Sequence, residues 1–314
     1  MRILHIDDAA AVSCILAKYQ QQIQGHNSKV IKYDIYDKFG FYRFYGDYVT
    51  IVTSEEQLLK NTVEESKSAD IIHIHTRSDV FLKLRNKFGK SKKMVLHYHG
   101  TDIRGLKKQK LPHRSRLSDI AISLILKYRK IRNTLLLKKR IHHKAQNLAD
   151  AVIVSTSDLL KYTSTKNAVR KLYLPNPIDL DVFKPGAILS STSNDGLKGR
   201  GAVTMDNEVT DIQWALEYLK KNNINLDITV HDRIRHPLMY QDLPNFLKQY
   251  KTYVDIRYVN KKIIPALSKT ALESLACGLD VLDYQLKFRN RLPEEHYPSS
   301  VISSLSKVYH EIRI

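Results

Sequence analysis

Short runs of β-branched and aliphatic residues alternate along the chain with longer stretches in which apolar residues recur at helical spacing. This alternation is typical of βαβ units and predicts parallel sheets with helices on their faces. In the first half the runs predict seven strands, enough for one complete domain, at 2–6, 29–33, 48–52, 70–75, 94–98, 151–155 and 171–174.

A weaker set of the same patterns follows in the second half. Three prolines between Leu174 and Gly186 favour an extended path, so we place the passage between two domains there. Beyond them the patterns predict strands at 202–205, 226–230, 253–257 and 279–283, and helices at 211–221, 243–250, 267–277 and 300–312. We therefore predict domains at 1–180 and 181–290, followed by a C-terminal helix within 291–314.

The composition narrows the class of protein. The 314 residues, 43% of them hydrophobic, suffice for two medium-sized domains. The apolar run at the start is too short for a signal peptide, and no later run reaches the roughly 20 apolar residues of a membrane helix. Cys14 and Cys277 form no disulfide framework, as in proteins of a reducing compartment. We expect a cytoplasmic protein.

The glycine content argues against two classes of nucleotide-binding protein, whereas the net charge indicates anionic partners. The chain has only 11 glycines and contains neither G-x-G-x-x-G nor a Walker A sequence, which argues against dinucleotide enzymes and P-loop nucleotidases. Its formal charge of +19 attracts polyanions, so nucleic acid, anionic lipid and phosphorylated substrates are all candidate partners.

Polar residues follow the fifth predicted strand, where open parallel sheets bind their ligands. His97 and His99 share one face of that strand, and His99 opens a polar turn that continues through Gly100, Asp102 and Arg104. We take His99, Asp102 and Arg104 as candidate catalytic residues.

Two further histidines, His73 and His75, end the fourth predicted strand with the same alternation. Together with His97 and His99, they allow either a metal site of four imidazoles or histidines hydrogen-bonded within the edge of the domain.

A second polar group opens the predicted helix at 267–277. Ser268 or Thr270 can cap this helix, and its free N–H groups and positive dipole end suit a phosphate. Glu273 lies about one turn further in and could accept hydrogen bonds from a ribose. The same pattern also fits an ordinary amphipathic helix of a βαβ unit.

The stretch from Arg104 to Lys144 contains fourteen Lys and Arg residues and one acid, Asp119. Apolar residues recur within it at helical spacing, so it predicts a basic amphipathic helix that can lie on anionic lipid, with Lys127, Lys130, Lys138 and Lys139 as membrane contacts. A solvated basic face is compatible with this interpretation. Nucleic acid is the rival partner, but the chain contains no recognised nucleic-acid module, and we expect none to bind.

Several of these motifs together resemble glycosyltransferase family 4, and they occur in the order of that family. They are Asp70-Ile-Ile-His-Ile-His75, His99-Gly-Thr-Asp102 with Arg104, Ala149-Asp-Ala-Val-Ile-Val-Ser155, Leu174-Pro-Asn-Pro-Ile-Asp179 with Phe183-Lys-Pro185, and Ala271-Leu-Glu-Ser-Leu-Ala-Cys-Gly278. Between Gly186 and Ile264 the similarity is faint.

The resemblance implies an α/β protein of the GT-B fold, with two Rossmann-like domains whose parallel sheets face each other across a cleft. The acceptor would face the N-terminal domain and the donor nucleotide the C-terminal domain, while the last helix would cross back to the N-terminal domain. It also implies transfer of a hexose from a nucleoside diphosphate sugar to a lipid-linked or cell-surface glycan, with retention and without a metal or cofactor. We expect such an enzyme on the inner face of the cell membrane.

The resemblance also assigns roles to residues. Glu273 matches the glutamate that holds the ribose, Ser268, Lys269 and Thr270 match the helix start near the diphosphate, and His99 matches the histidine facing the donor sugar. Lys198 and Arg200 are candidates for the donor phosphate clamp.

The chain departs from the family at two places. Pro265 stands where the family carries a second glutamate, eight positions before Glu273, and Asp7-Asp8 replaces a glycine-rich loop, which suggests that these carboxylates face the acceptor. A non-catalytic GT-B binding or scaffold subunit is therefore the alternative hypothesis.

Overall fold

The computed structural model describes residues 1–34, 36–104, 135–163, 169–185, 200–206, 211–233, 235–259 and 262–313. Seven parallel strands form the first sheet in the order β3-β2-β1-β4-β5-β6-β7, which is a Rossmann-like arrangement. They are β1 Arg2–Ile6, β2 Asn27–Tyr33, β3 Val49–Val52, β4 Ile71–His75, β5 Lys93–Tyr98, β6 Ala151–Val154 and β7 Arg170–Tyr173. The seven predicted strands are confirmed, with bounds that differ by two residues at most.

Helices cover both faces of this sheet: α1 Val12–Gln24, α2 Phe41–Phe44, α3 Glu55–Ser68, α4 Ser78–Phe88, α5 Thr101–Arg104 and α6 Leu135–Leu148, with a short 3₁₀ helix at Ser157–Tyr162. The central strands are buried on both faces, which explains their nearly continuous apolar sequences. Ile72 and Leu96 belong to the core on one face, whereas Ile71 and Val95 belong to the core on the other.

The second sheet has the order β14-β13-β10-β8-β9. Its strands are β8 Arg200–Asp206, β9 Ile228–Asp232, β10 Tyr250–Val254, β13 Asp280–Leu282 and β14 Phe288–Arg289, and β11 Tyr258–Val259 pairs separately with β12 Lys262–Ile263. The helices of this part are α7 Ile212–Lys221, α8 Leu243–Leu247 and α9 Lys269–Ala276. β8, β9, β10 and β13 are parallel, while β14 is an antiparallel edge strand.

The predicted helix at 243–250 and strand at 253–257 are corrected by the structure. The helix ends at Leu247, and the strand already begins at Tyr250. Tyr250 and Tyr253 are both buried, because β10 lies in the middle of the sheet with packing on both faces. The apolar spacing of this short segment does not distinguish a helix end from a buried strand start.

The two sheets share a core, and the chain end contributes to it. After a 3₁₀ turn at Glu294–His296, the last helix, α10 Pro298–Arg313, packs against α1 through buried residues such as Tyr309. Tyr240, from the part of the chain that carries the second sheet, donates its backbone N–H to the Phe39 carbonyl at 2.8 Å. Within the described ranges, no helix is long and apolar enough to cross a bilayer.

Candidate functional site

A cavity of about 440 Å³ opens between the two sheets, at the carboxyl ends of their strands. The first sheet contributes Ala9, Ala10 and His99 to its wall, and the second contributes Arg233 and Ser268, among others. Clefts at this end of an open parallel sheet are where ligands bind in α/β folds. We therefore take this cavity as the candidate site.

The turn after β5 places His99 at the cavity wall. The Asp102 carboxylate holds the turn, because it accepts from the backbone N–H groups of His99 at 2.9 Å, Gly100 at 2.6 Å and Ile103 at 3.1 Å. Gly100 has φ 134°, a conformation that residues with a Cβ rarely adopt. Asp102 itself is not part of the cavity lining, so its role in the structure is to position His99.

Arg104 reaches the cavity from the same turn, and its charge is already paired. Its guanidinium donates to both Asp158 carboxylate oxygens, at 2.7 and 3.0 Å, and to Thr156 Oγ1 at 2.9 Å. This pairing, more than offsetting the cost of burial, lowers the pKa of Asp158. Arg104 therefore presents little net positive charge to a ligand.

The start of α9 forms the opposite wall. Ser268 caps the helix by accepting from Ala271 N at 3.0 Å, and its own N–H donates to the buried Asp255 carboxylate at 2.7 Å. Ser268, Lys269 and Thr270 all line the cavity, as their predicted role requires. The first N–H groups of a helix have no carbonyl partner within it, so they suit an anionic ligand.

Glu273 lies one turn behind this wall, in a buried position. The residue is 3% exposed, and its carboxylate pairs with the Lys269 ammonium at 3.4 Å. Burial raises the pKa of Glu273, although Lys269 and Arg233 oppose this shift. Lys269 also donates to the backbone carbonyl of Ala10, which connects α9 to the loop after β1.

Two cations at the cavity were missed by the sequence analysis. Arg233 directly follows β9 and lies over the Phe39 ring, 4.7 Å from its centroid. Among the described residues, no carboxylate forms an ion pair with Arg233. Arg257 follows β10, lies 3.5 Å from Asp255 and donates to the Ala266 carbonyl. Both residues follow strands, and their position at strand ends is the signal that could identify them. Arg257, however, falls within the predicted strand at 253–257.

Asp7 and Asp8 are buried, are not part of the cavity lining and have partners within the protein. Asp7 forms an ion pair with Lys32, and Asp8 accepts from the backbone N–H groups of Ala11 at 2.6 Å and Ser13 at 2.7 Å. Asp8 thus occupies the start of α1, where an external anion would otherwise bind. Neither carboxylate lines the cavity, and their acceptor-side role stays a prediction.

The remaining candidates lie wholly or partly outside the described residues. Lys127, Lys130 and Lys198 are outside them altogether. Lys138 and Lys139 belong to α6 and Arg200 begins β8, but the structure describes none of these three side chains. Their roles stay predictions.

Five histidines lie side by side on β1, β4, β5 and the turn that follows β5. His5 joins the four histidines that the sequence analysis singled out, because β1 lies beside β4 and places it opposite His73. Neighbouring rings lie 4.1 to 5.3 Å apart. Two sets of three nitrogens lie within 4.8 Å of one another, His5, His73 and His75, and His75, His97 and His99.

Hydrogen bonds between the rings favour the interpretation without a metal. The nitrogens of His75 and His99 bond to each other at 2.9 Å, those of His5 and His75 at 3.0 Å, and those of His73 and His97 at 3.2 Å. A metal ion would have to replace these hydrogen bonds.

Comparisons with known proteins were made by sequence and by structure. No protein-family model and no curated protein sequence matches the chain. The structure of Anabaena HepE in complex with UDP and glucose aligns over 100% of this chain and 92% of its own, with a TM-score of 0.52 and 11% identity. A sucrose-phosphate synthase from Thermosynechococcus elongatus aligns over 99% of this chain and 90% of its own, with a TM-score of 0.50 and 11% identity.

At this low identity the likeness concerns the fold alone. Together with the two facing Rossmann-like sheets, it confirms that the chain has the GT-B fold that the sequence predicted.

Proposed function

We propose that this protein is a glycosyltransferase that moves a hexose from a nucleoside diphosphate sugar to a lipid-linked or cell-surface glycan, with retention and without a metal. One observation carries the proposal. The cavity between the two sheets is lined by the cations Arg233, Arg257 and Lys269 beside the start of α9, as a diphosphate requires. HepE, which shares the fold, binds UDP and glucose in its structure.

The proposed chemistry is electrostatic. When the bond from the sugar to the diphosphate breaks, negative charge develops on the departing phosphate oxygen. Arg233, the Lys269 ammonium and the first N–H groups of α9 would stabilise this charge in place of a metal ion. His99, on the opposite wall, would contact the sugar, and Glu273 would accept hydrogen bonds from the ribose.

Donor binding then requires a rearrangement at Lys269. In the structure its ammonium bonds to Glu273 and to the Ala10 carbonyl. A diphosphate would draw Lys269 toward the cavity and free Glu273 for the ribose. Separating this pair costs free energy, which a ligand with both phosphate and hydroxyl groups would offset at both partners.

A non-catalytic GT-B subunit is the second candidate. It is favoured by Pro265, which stands where the family has a sugar-contacting carboxylate and which lines an adjoining cavity of about 180 Å³. Such a subunit could bind nucleotide without transferring a sugar.

A thermal-shift screen with UDP, GDP, ADP and their sugars, followed by a turnover assay on each stabilising donor, separates these candidates. A ligand at a hundred times its Kd stabilises the fold by about 2.7 kcal/mol. Stabilisation with sugar release or transfer supports the enzyme, and stabilisation without turnover supports the binding subunit. Absence of stabilisation by every nucleotide would overturn both.

We further propose that the acceptor lies at an anionic membrane surface, which the basic stretch from Arg104 to Lys144 contacts, and that nucleic acid is not a partner. This stretch contains fourteen Lys and Arg residues and one acidic residue, which supports the proposal.

Co-sedimentation with anionic and neutral vesicles tests it. The protein should bind to anionic vesicles alone, and high salt should release it. Reversal of Lys127, Lys130, Lys138 and Lys139 to Glu should abolish this binding, and equal binding to both vesicle types would contradict the proposal.

A further inference from the structure

A continuous chain of hydrogen bonds connects the buried side chain of Gln20, on α1, to His99 at the cavity. Gln20 Oε1 lies 2.9 Å from His5 Nε2, His5 Nδ1 lies 3.0 Å from His75 Nε2, and His75 Nδ1 lies 2.9 Å from His99 Nε2. Gln20, His5 and His75 are at most 1% exposed. Water therefore does not interrupt the chain.

The position of each proton along this chain follows from its first member. Gln20 Oε1 can only accept, so His5 carries its hydrogen on Nε2 and accepts at Nδ1. His75 must then donate from Nε2 and accept at Nδ1, and His99 must donate from Nε2. A neutral imidazole has a single N–H, so His99 Nδ1 carries a lone pair.

The surroundings of Gln20 hold its amide in this orientation. Ser28 Oγ donates to Oε1 at 2.6 Å, and the amide nitrogen donates to Tyr309 Oη at 3.4 Å. If Tyr309 Oη accepts from Gln20, its hydroxyl proton is directed to His73 Nδ1, which lies 2.6 Å away. His73 then donates from Nε2 to His97 Nδ1 at 3.2 Å, and His97 Nε2 is buried without a hydrogen-bond partner among the described residues.

Burial keeps the histidines of the chain neutral. It lowers the pKa of His5 to about 4 and that of His75 well below its ordinary value. Burial also lowers the pKa of His99, while Asp102, Asp8 and the side chain of Asn176 oppose this effect.

Asn176 is the cavity-lining residue next to this end of the chain. His99 Nδ1 and Asn176 Oδ1 are both buried and form no hydrogen bond of ordinary geometry with the described residues, although the Asn176 oxygen acts as an acceptor toward His99 and so raises its pKa. With His99 in its Nε2–H form, Nδ1 is an acceptor as well, and two acceptors cannot bond to each other. A half-turn of the Asn176 amide keeps the shape of the side chain, lets Nδ2 donate to His99 Nδ1 and turns Oδ1 toward the cavity.

We propose that Gln20, His5 and His75 are positioning residues that hold His99 in its Nε2–H tautomer and thereby orient the Asn176 amide. The cavity then presents an amide oxygen, which accepts a hydrogen bond from a substrate hydroxyl. This role rests on the proposed transfer of a sugar, because a hexose or its acceptor supplies the hydroxyl.

The test is ¹⁵N NMR of histidine-labelled protein near pH 7.5, with the His99 resonances assigned by their loss in His99→Gln. In the wild type we expect a protonated Nε2 and an unprotonated Nδ1 for His99. Gln20→Met keeps the size of the side chain but cannot accept from His5, so both tautomers of His99 should appear. Gln20→Glu restores an acceptor and should restore the single Nε2–H form.

A wild-type His99 protonated on Nδ1, or on both nitrogens, would overturn the proposal. So would a single Nε2–H form that persists unchanged in folded Gln20→Met. The wild-type spectrum decides the tautomer even if that variant fails to fold. These spectra need no substrate, so they stand apart from the turnover assay that tests the proposed function.

Discussion

At the scale of single residues, the cations at the cavity differ in whether a carboxylate pairs with them. Arg104 shares its charge with Asp158, and Lys269 shares its charge with Glu273. Among the described residues, Arg233 lies over the face of the Phe39 ring and forms no ion pair with a carboxylate. Its positive charge is therefore the most available one for an incoming phosphate.

Replacing Arg233 by Gln should weaken nucleotide binding by about 1.5 to 3 kcal/mol, since this removes a hydrogen bond between charged groups. Arg235→Gln is a matched control, because Arg235 is exposed and pairs with Asp232 at 3.6 Å. Isothermal titration with the nucleotide found in the screen measures both. Equal affinities of the two variants would remove Arg233 from the site.

At the scale of elements, three neighbouring strands bring five histidines together in the interior. Burial lowers the pKa of His5 to about 4 and those of His73, His75 and His97 well below their ordinary value, near 6.5. The unfolded chain takes up protons below pH 6.5, whereas the folded chain does not until its lowered pKa values are reached. The free energy of unfolding is therefore highest above pH 6.5 and decreases as the pH falls toward 4.

We expect the free energy of unfolding to decrease between pH 6.5 and 4.5 by about 1.4 kcal/mol per pH unit for each buried histidine. Urea denaturation at several pH values measures the slope. His5→Gln should reduce the slope by about one proton, whereas His310→Gln, at an exposed position of α10, should not change it. A stability that is constant over this range would show that the histidines titrate normally.

At the scale of the whole molecule, Tyr240 connects the two sheets. Its ring packs among Phe41, Phe44, Tyr45 and Phe183, with centroids 5.0 to 5.6 Å away, and its hydroxyl lies 3.0 Å from that of Tyr45. Tyr45 also donates to Asp179, the partner of Lys18, at 2.7 Å. One aromatic ring thus joins the second part of the chain to a buried polar network of the first.

Tyr240→Ala should cost about 3 to 5 kcal/mol, as for other large core residues, and should let the second part unfold separately. We expect two denaturant transitions in place of one. Tyr36→Ala is the control, because Tyr36 is 83% exposed. A change of less than about 0.5 kcal/mol in Tyr240→Ala, the level of a surface substitution, would mean that the sheets are joined elsewhere.

The sequence by itself determined most of the elements and several residues of the cavity wall. The first sheet could be predicted because buried parallel strands are short, continuous apolar runs, and the positions of His99, Ser268, Lys269 and Thr270 followed from their places at strand and helix ends. These signals are local and need no knowledge of partners.

The tertiary structure alone decided what each charged or polar group contacts. Asp8 closes α1, Asp7 pairs with Lys32, Glu273 lies beneath Lys269, and His5 joins the other histidines, although no local pattern marks any of these contacts. The strength of a charge or a hydrogen bond depends on burial and on partners distant in sequence. For that reason the sequence could indicate the cavity, while only the folded chain shows which of its groups are free to bind.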